Sequence, residues 1–213
     1  MMDFRLQTPF SMIVASPSNS GKSTWVGKLI EHSPLLFTEQ SKRFIYFYSV
    51  WSPTFDTWKE KKLISQFVQG MCTKEWIEEN CSDGNCTIVL DDQAMSISED
   101  ISKVFAVLSH NYNINFIMLA QNIFTKNKNF RDASLNSKYI VLGKNPRDQS
   151  SIRFLAQQMM PTRSKDVVEA YFLATKNPYS FFLLDFSQTC PENLRMRGNI
   201  FAENYPMTVY IKK

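Results

Sequence analysis

Glycine and histidine are scarce in this 213-residue chain, at six and two residues, and cysteine occurs only four times. The cysteines, Cys72, Cys81, Cys86 and Cys190, form no Cys-x-x-Cys pair, and His32 and His110 lie far from them in sequence. A structural zinc site is therefore not expected, and the cysteines read as reduced intracellular thiols. The glycines and prolines never gather with serine into a linker, and the chain has no internal repeat or low-complexity tract. One domain spanning 1–213 is the expectation. Long apolar runs are also missing. The longest stretch without Asp, Glu, Lys or Arg, Val104 to Thr125, carries His110, Asn111, Asn113, Asn115, Gln121 and Asn122, a polarity that excludes a membrane helix. Near the N-terminus FSMIVA is too short for a signal-peptide core, and Asp3 offsets Arg5 in front of it, so the chain is expected not to be secreted. The formal net charge of +4 permits contact with nucleic acid but falls short of a dense basic surface.

What the chain does have is apolar bulk, with 44% hydrophobic and 14% aromatic residues, enough to bury a large core. That bulk recurs as a short apolar strand followed by an amphipathic helix. Strands are expected at Phe10 to Ala15, Phe44 to Val50, Cys86 to Asp92, Asn115 to Gln121, Tyr139 to Gly143 and Tyr179 to Phe186. Trp25, Val26, Leu29 and Ile30 fall at helical spacing after the first strand. Ser96-Ile97-Ser98-Glu99 has the pattern of a capping box, ahead of Ile97, Ile101, Val104, Phe105 and Leu108 on one helical face. Two further helices, near Gln149 to Met160 and Ser164 to Thr175, are separated by Pro161. The segment from Trp51 to Asp83 is the least legible. Alternating strands and helices imply an α/β fold with a mostly parallel, doubly wound sheet.

The stretch ASPSNSGKST, Ala15 to Thr24, carries the first functional signal. It ends in Gly21-Lys22-Ser23 as a phosphate-binding loop does, between a strand and a helix, but Ser16 stands where G-x-x-x-x-G-K-[ST] has its first glycine. In such a loop, backbone N–H groups and the helix N-terminus face an anion, the lysine reaches the β- and γ-phosphates, and the hydroxyl ligates Mg²⁺. Here Ser16, Pro17, Ser18, Asn19, Ser20, Gly21, Lys22, Ser23 and Thr24 would form the cradle. Pro17 biases Ser16 toward the extended conformation of a residue leaving a strand, and Asn19 tolerates a left-handed backbone. The plainer alternative is a capped strand-to-helix turn.

The second signal is CTIVLDD, an apolar strand that delivers Asp91 and Asp92 to the carboxyl edge of a parallel sheet, where ligands bind in open α/β folds. One acid can then serve Mg²⁺ while the other orients or deprotonates an attacking water. Gln121, closing an apolar strand, is placed to contact the γ-phosphate or that water. Asn145-Pro146-Arg147-Asp148 imitates the Asn-Lys-x-Asp guanine reader of GTPases, but proline replaces the lysine.

LAQNIF, SLNSKYIVLGKNPRD and PYSFFLLDF, together with the two nucleotide elements, resemble the viral DNA-packaging ATPases of the FtsK/HerA superfamily, over about Phe10 to Phe201. The likeness is to the small enzymes of adintoviruses and Polinton-like elements, and more distantly to the poxvirus packaging ATPase. It implies a RecA-like (ASCE-type) P-loop NTPase with a sensor strand between the phosphate-loop and acidic strands. It also implies hydrolysis of ATP with Mg²⁺ to move double-stranded DNA into a capsid, by a homo-oligomeric ring that meets viral capsid proteins and no membrane. The setting so implied is the infected host cell, in the nucleus or a viral factory, or the virion. On this resemblance Lys22 and Ser23 serve phosphate and Mg²⁺, Asp91 the metal, Asp92 catalysis and Gln121 sensing, while Arg131, or else Arg147, matches the arginine finger that reaches a neighbour's ATP. Ser16 and an aspartate in place of the superfamily's frequent catalytic glutamate depart from the pattern. Two other readings are a phosphate-loop nucleotide kinase, for which the chain lacks an arginine-rich lid, and a nucleotide-gated assembly factor that does not turn over.

Overall fold

A computed structural model describes residues 3–105, 112–201 and 207–211. Among the described residues one sheet has nine strands: β1 (Ser11–Ala15), β2 (Arg43–Tyr48), β3 (Gln66–Gln69), β4 (Cys86–Leu90), β5 (Ile114–Ala120), β6 (Tyr139–Gly143), β7 (Phe181–Asp185), β8 (Met196–Gly198) and β9 (Thr208–Val209), in spatial order β3-β2-β4-β5-β1-β6-β7-β8-β9. The helices are α1 (Lys22–Glu31), α2 (Ser33–Leu36), α3 (Pro53–Glu60), α4 (Lys74–Asn80), α5 (Glu99–Lys103), α6 (Lys128–Leu135), α7 (Ser150–Met159) and α8 (Ser164–Ala174).

Alternate side chains of each central strand enter different cores, which is why those strands are largely apolar. In β1, Met12 and Val14 join Val26 and Leu29 of α1 and Phe55 and Trp58 of α3 on one face. Ile13 and Ala15 face the other way, toward Ile101 of α5, Phe130 of α6, Ile152 of α7 and Val167 of α8. The sheet is thus a middle layer between two helical layers.

The sheet is mixed. From β3 to β6 every neighbour is parallel, but β7, β8 and β9 add on antiparallel. The segment Tyr179 to Phe186 therefore does not continue a parallel series, and the physical reason lies in its connection. A single crossover helix carries the chain back to the end of the sheet where its strand began, whereas α7 and α8 run as a pair and return it to the end where β6 finished. The next strand must then run backward, with Gly143 opposite Phe181.

Other differences are local. The strand expected to reach Asp92 ends at Leu90, which leaves both acids on the loop beyond it. The helix cap falls at Ser98, whose Oγ accepts the Ile101 N–H at 3.2 Å, and not at Ser96. Ser96 is still turning, its own N–H bonded to the Gln93 carbonyl at 3.1 Å. The illegible segment contains α3, β3 and α4, each too short for its periodicity to show. Leu108 and His110 lie outside the described residues. No described helix is long and apolar enough to cross a membrane.

Candidate nucleotide site

β1 delivers Ser16 to the carboxyl edge of the sheet, where its N–H bonds the Ala120 carbonyl of β5 at 3.1 Å. The chain then turns through Asn19 at φ 60 and Gly21 at φ 86, both left-handed, before α1 begins at Lys22. No side chain caps α1 and no acid lies in its first turn. Its leading N–H groups and positive dipole end are thus left for an anion. Ser20 Oγ is buried in the loop without a hydrogen-bond partner, an orphaned donor that fits a phosphate oxygen.

Lys22 folds across the base of the loop, its Nζ donating to the carbonyls of Ser16 at 2.7 Å and Pro17 at 2.9 Å. Burial lowers its pKa, and the nearby charges of Asp91 and Asp92 oppose that shift. Asp91 lies at the centre of the site. Its Oδ2 accepts the Tyr46 hydroxyl at 2.7 Å and the Ser23 hydroxyl at 3.4 Å. Burial raises the Asp91 carboxyl above its ordinary range, Asp92 adds to the rise, and Tyr46, Lys22 and Ser23 oppose it. Tyr46, wholly buried in β2, is in turn pushed well up by burial and by Asp91. The Ser23 hydroxyl and Asp91 carboxylate are hard oxygen donors of the kind Mg²⁺ accepts. Among the described residues no three His, Cys, Asp or Glu side chains converge as a metal cluster, so Mg²⁺ here would take its other ligands from phosphate and water.

Asp92 is exposed and holds φ 56, a left-handed backbone that aspartate adopts more readily than most residues. Its conformation is anchored by the next residue. Gln93 is 2% exposed, and its Oε1 accepts the Cys72 N–H at 3.0 Å while its Nε2 donates to the Gly70 carbonyl at 2.9 Å. Asp92 and Gln121 line a common cavity of about 410 Å³ with Met95 and Phe124. Tyr46 and Gln93 were not among the residues singled out from sequence. The only trace of them was a phenol in FIYFY beside the acidic strand and a glutamine directly after the two acids.

Ser16 Oγ is buried and without a partner. It fits because its neighbour on β6 is a glycine: a Cβ on Gly143 would lie 2.4 Å from Ser16 Oγ and 2.8 Å from Ser16 Cβ. The glycine absent from the loop is replaced by one on the adjacent strand. The Asn145 to Asp148 segment has a structural job. Asp148 accepts Asn122 Nδ2 at 3.1 Å, Ser150 Oγ at 2.6 Å and a short bond from Ser151 Oγ, and the two serines hold its carboxyl well below the usual range. That carboxylate ties the end of β6 to the loop after β5, which leaves it poorly placed to read a base.

The structure brings Lys22, Ser23, Asp91, Asp92 and Gln121 to one edge of the sheet, with Pro17, Ser18, Asn19 and Thr24 around the turn and the start of α1. Arg131 and Arg147 are not joined to that set. Both are exposed, and neither has an ion-pair partner among the described residues. Arg131 lies on α6 beside Phe124, Thr125 and Leu135, at a cavity of about 200 Å³.

This architecture is shared with solved P-loop ATPases. The DNA-packaging ATPase from Sulfolobus turreted icosahedral virus superposes with a TM-score of 0.54 at 10% identity, over 84% of this chain and 94% of that one. The genome-packaging NTPase of Sulfolobus turreted icosahedral virus 2, solved with ATP-gammaS, gives 0.51 at 11% identity, over 83% and 92%. The cytoplasmic domain of the Type VII secretion ATPase EccC from Thermomonospora curvata gives 0.51 at 13% identity, over 86% of this chain and 24% of that one. At such identities the likeness is one of fold. No protein-family model matches the chain, and neither does any curated protein.

Proposed function

We infer that this chain is a RecA-like (ASCE-type) P-loop ATPase that hydrolyses ATP to drive double-stranded DNA into a viral capsid, as a homo-oligomeric ring working with capsid protein in an infected cell. The observation that carries the nucleotide chemistry is the convergence on Asp91: the Ser23 hydroxyl of the loop reaches its carboxylate across β5. Gln121 directly follows that intervening strand and therefore stands between the phosphate loop and the two acids. Lys22 would leave the loop carbonyls to meet the β- and γ-phosphates. Asp92, exposed to the cavity it shares with Gln121, would take or orient the water's proton, and Gln121 would hold that water or the γ-phosphate. Mg²⁺ held by Ser23 and Asp91 would supply charge neutralisation on the phosphates.

Support for packaging in particular comes from the sequence resemblance and from a fold held in common with packaging ATPases of similar length. Exposed Phe124 and Leu135, which line the cavity at Arg131, and exposed Phe154, whose ring lies 6.3 Å from that of Phe124, favour a ring in which this face meets a neighbouring subunit. Hydrolysis of ATP by the purified chain, measured with and without double-stranded DNA, tests the reading. Several-fold stimulation by DNA is the expected result, with Lys22→Ala inactive. Phosphorylation of a nucleoside monophosphate without response to DNA would replace the motor with a kinase. Binding without turnover would leave the assembly factor.

A further inference from the structure

The turn before β7 carries an aromatic residue that the chemistry above does not use. Tyr179 is 73% exposed and sits at φ 59, a left-handed backbone that bulky side chains avoid. Its ring nonetheless lies against the phosphate loop. Cδ1 is 3.1 Å, and Cβ and Cγ 3.8 Å, from the point where a Cβ on Gly21 would stand. The topology explains the position: the α7–α8 pair returns the chain to the carboxyl edge of β6, so the residues that start β7 flank the loop after β1. Phe181, two residues on, packs against Trp25 in the first turn of α1 with ring centroids 5.6 Å apart.

The sheet order also gives a bound nucleotide a direction. The two acids and Gln121 follow β4 and β5, on one side of β1, and the reacting γ-phosphate must lie toward them. The rest of the molecule, the α-phosphate, ribose and base, then extends to the other side, over β6 and β7. Tyr179 stands on that side with its ring open to solvent.

We propose that Tyr179 is the base-binding residue of this site, its ring forming the surface on which the nucleobase stacks. The proposal rests on the nucleotide-site reading above. Because every base has a π-face, such a contact adds affinity without selecting adenine over guanine.

The test is calorimetric binding of Mg-ATP, Mg-GTP and inorganic triphosphate with Mg²⁺ to the full chain and to Tyr179→Ala, Tyr179→Phe and Tyr179→Gly. Loss of the stacking surface weakens both nucleotides roughly tenfold in the alanine and glycine variants, while triphosphate affinity changes by less than about twofold and phenylalanine restores the wild-type values. Glycine adopts φ 59 without strain, so Tyr179→Gly melts at or above the wild-type temperature while still binding ATP poorly. A purely structural tyrosine would not separate stability from affinity in this way. Unchanged ATP affinity in Tyr179→Ala and Tyr179→Gly overturns the proposal. So does an equal loss for triphosphate, which would mean that the ring only shapes the loop at Gly21. In either case triphosphate binding by the wild type leaves the phosphate-loop reading standing, whereas a wild type that binds neither ATP nor triphosphate removes both.

Discussion

Ser16 and Gly143 share one space, and that sharing makes an otherwise irregular loop workable. A serine where the loop motif has glycine brings a hydroxyl that is buried and unbonded, so its removal forfeits no hydrogen bond. Ser16→Gly is expected to change ATP affinity by less than about threefold in a calorimetric titration, while the added chain entropy costs the fold about 0.5–1 kcal/mol. Gly143→Ala is different, because its methyl would meet Ser16 Oγ at 2.4 Å and the Phe181 ring at 2.8 Å. In the wild-type background it should destabilise the fold by about 1–3 kcal/mol. Adding Ser16→Gly should recover part of that, a coupling of roughly 1 kcal/mol in a denaturant double-mutant cycle. Strict additivity would show that the two positions do not compete.

Tyr46 governs the charge of Asp91 in a comparable way. Its hydroxyl is the strongest of the influences that keep the buried carboxylate ionised. Tyr46→Phe keeps the packing and removes the donor, so the Asp91 pKa rises further above its ordinary value. Asp91 must be ionised to serve Mg²⁺, and the acid limb of the pH–rate profile is therefore expected to move to higher pH. An unmoved limb would remove Tyr46 from that role. For stability the sign is opposite to that of an ordinary paired carboxylate. A folded-state pKa above the unfolded 3.8 means that ionised Asp91 opposes folding at neutral pH, and this opposition fades as pH falls through the raised pKa.

Helix α6 presents Arg131 on a face that its own chain does not use. The helix is capped by Asn127, whose Oδ1 accepts the Phe130 N–H at 3.1 Å. Phe130 and Ala133 are buried, and Arg131 and Leu135 point outward. If Arg131 reaches a neighbour's ATP, Arg131→Ala retains ATP binding and loses about 10³-fold or more in turnover, the size of effect that an arginine supplied in trans can have. Mixing it with Asp92→Asn subunits should restore part of the rate, because some interfaces then pair an intact Asp92 with an intact Arg131. Normal basal hydrolysis with lost DNA stimulation would instead place Arg131 on the DNA backbone with Lys126 and Lys128. Unchanged kinetics under both conditions would retire both roles.

Across the whole molecule, the antiparallel edge is locked by a buried ion pair. Arg197 Nη2 meets Asp185 Oδ2 at 2.5 Å with both side chains 4% exposed, and Arg197 also donates to the carbonyls of Leu194 at 2.9 Å and Phe4 at 3.0 Å. Asp185 Oδ1 takes the N–H and hydroxyl of Ser187. The pair thereby ties β7 to β8 and to the N-terminal segment. Arg197→Met would leave Asp185 charged and unpaired in the core, and a loss of about 3–5 kcal/mol is expected in denaturant unfolding. A loss under about 1 kcal/mol would mean that solvent reaches the carboxylate.

The strand-to-helix turn from Ser16 to Gly21, the acids after β4 and the apolar strands on both sides of β1 were legible in the order of residues, because each depends on local chemistry. A strand buried on both faces must be largely apolar, and a strand-to-helix turn that leaves amides for an anion needs residues that tolerate a left-handed backbone, here Asn19 and Gly21. The direction of β7, the Tyr46 hydroxyl on Asp91, the space that Gly143 leaves for Ser16 and the ring of Tyr179 over Gly21 depended on tertiary structure. Each joins residues that are from 38 to 158 positions apart in the chain. Only the packing of the two helical layers on a mixed sheet decides which of those residues meet, since no short stretch of sequence encodes how many helices will return the chain to a given edge.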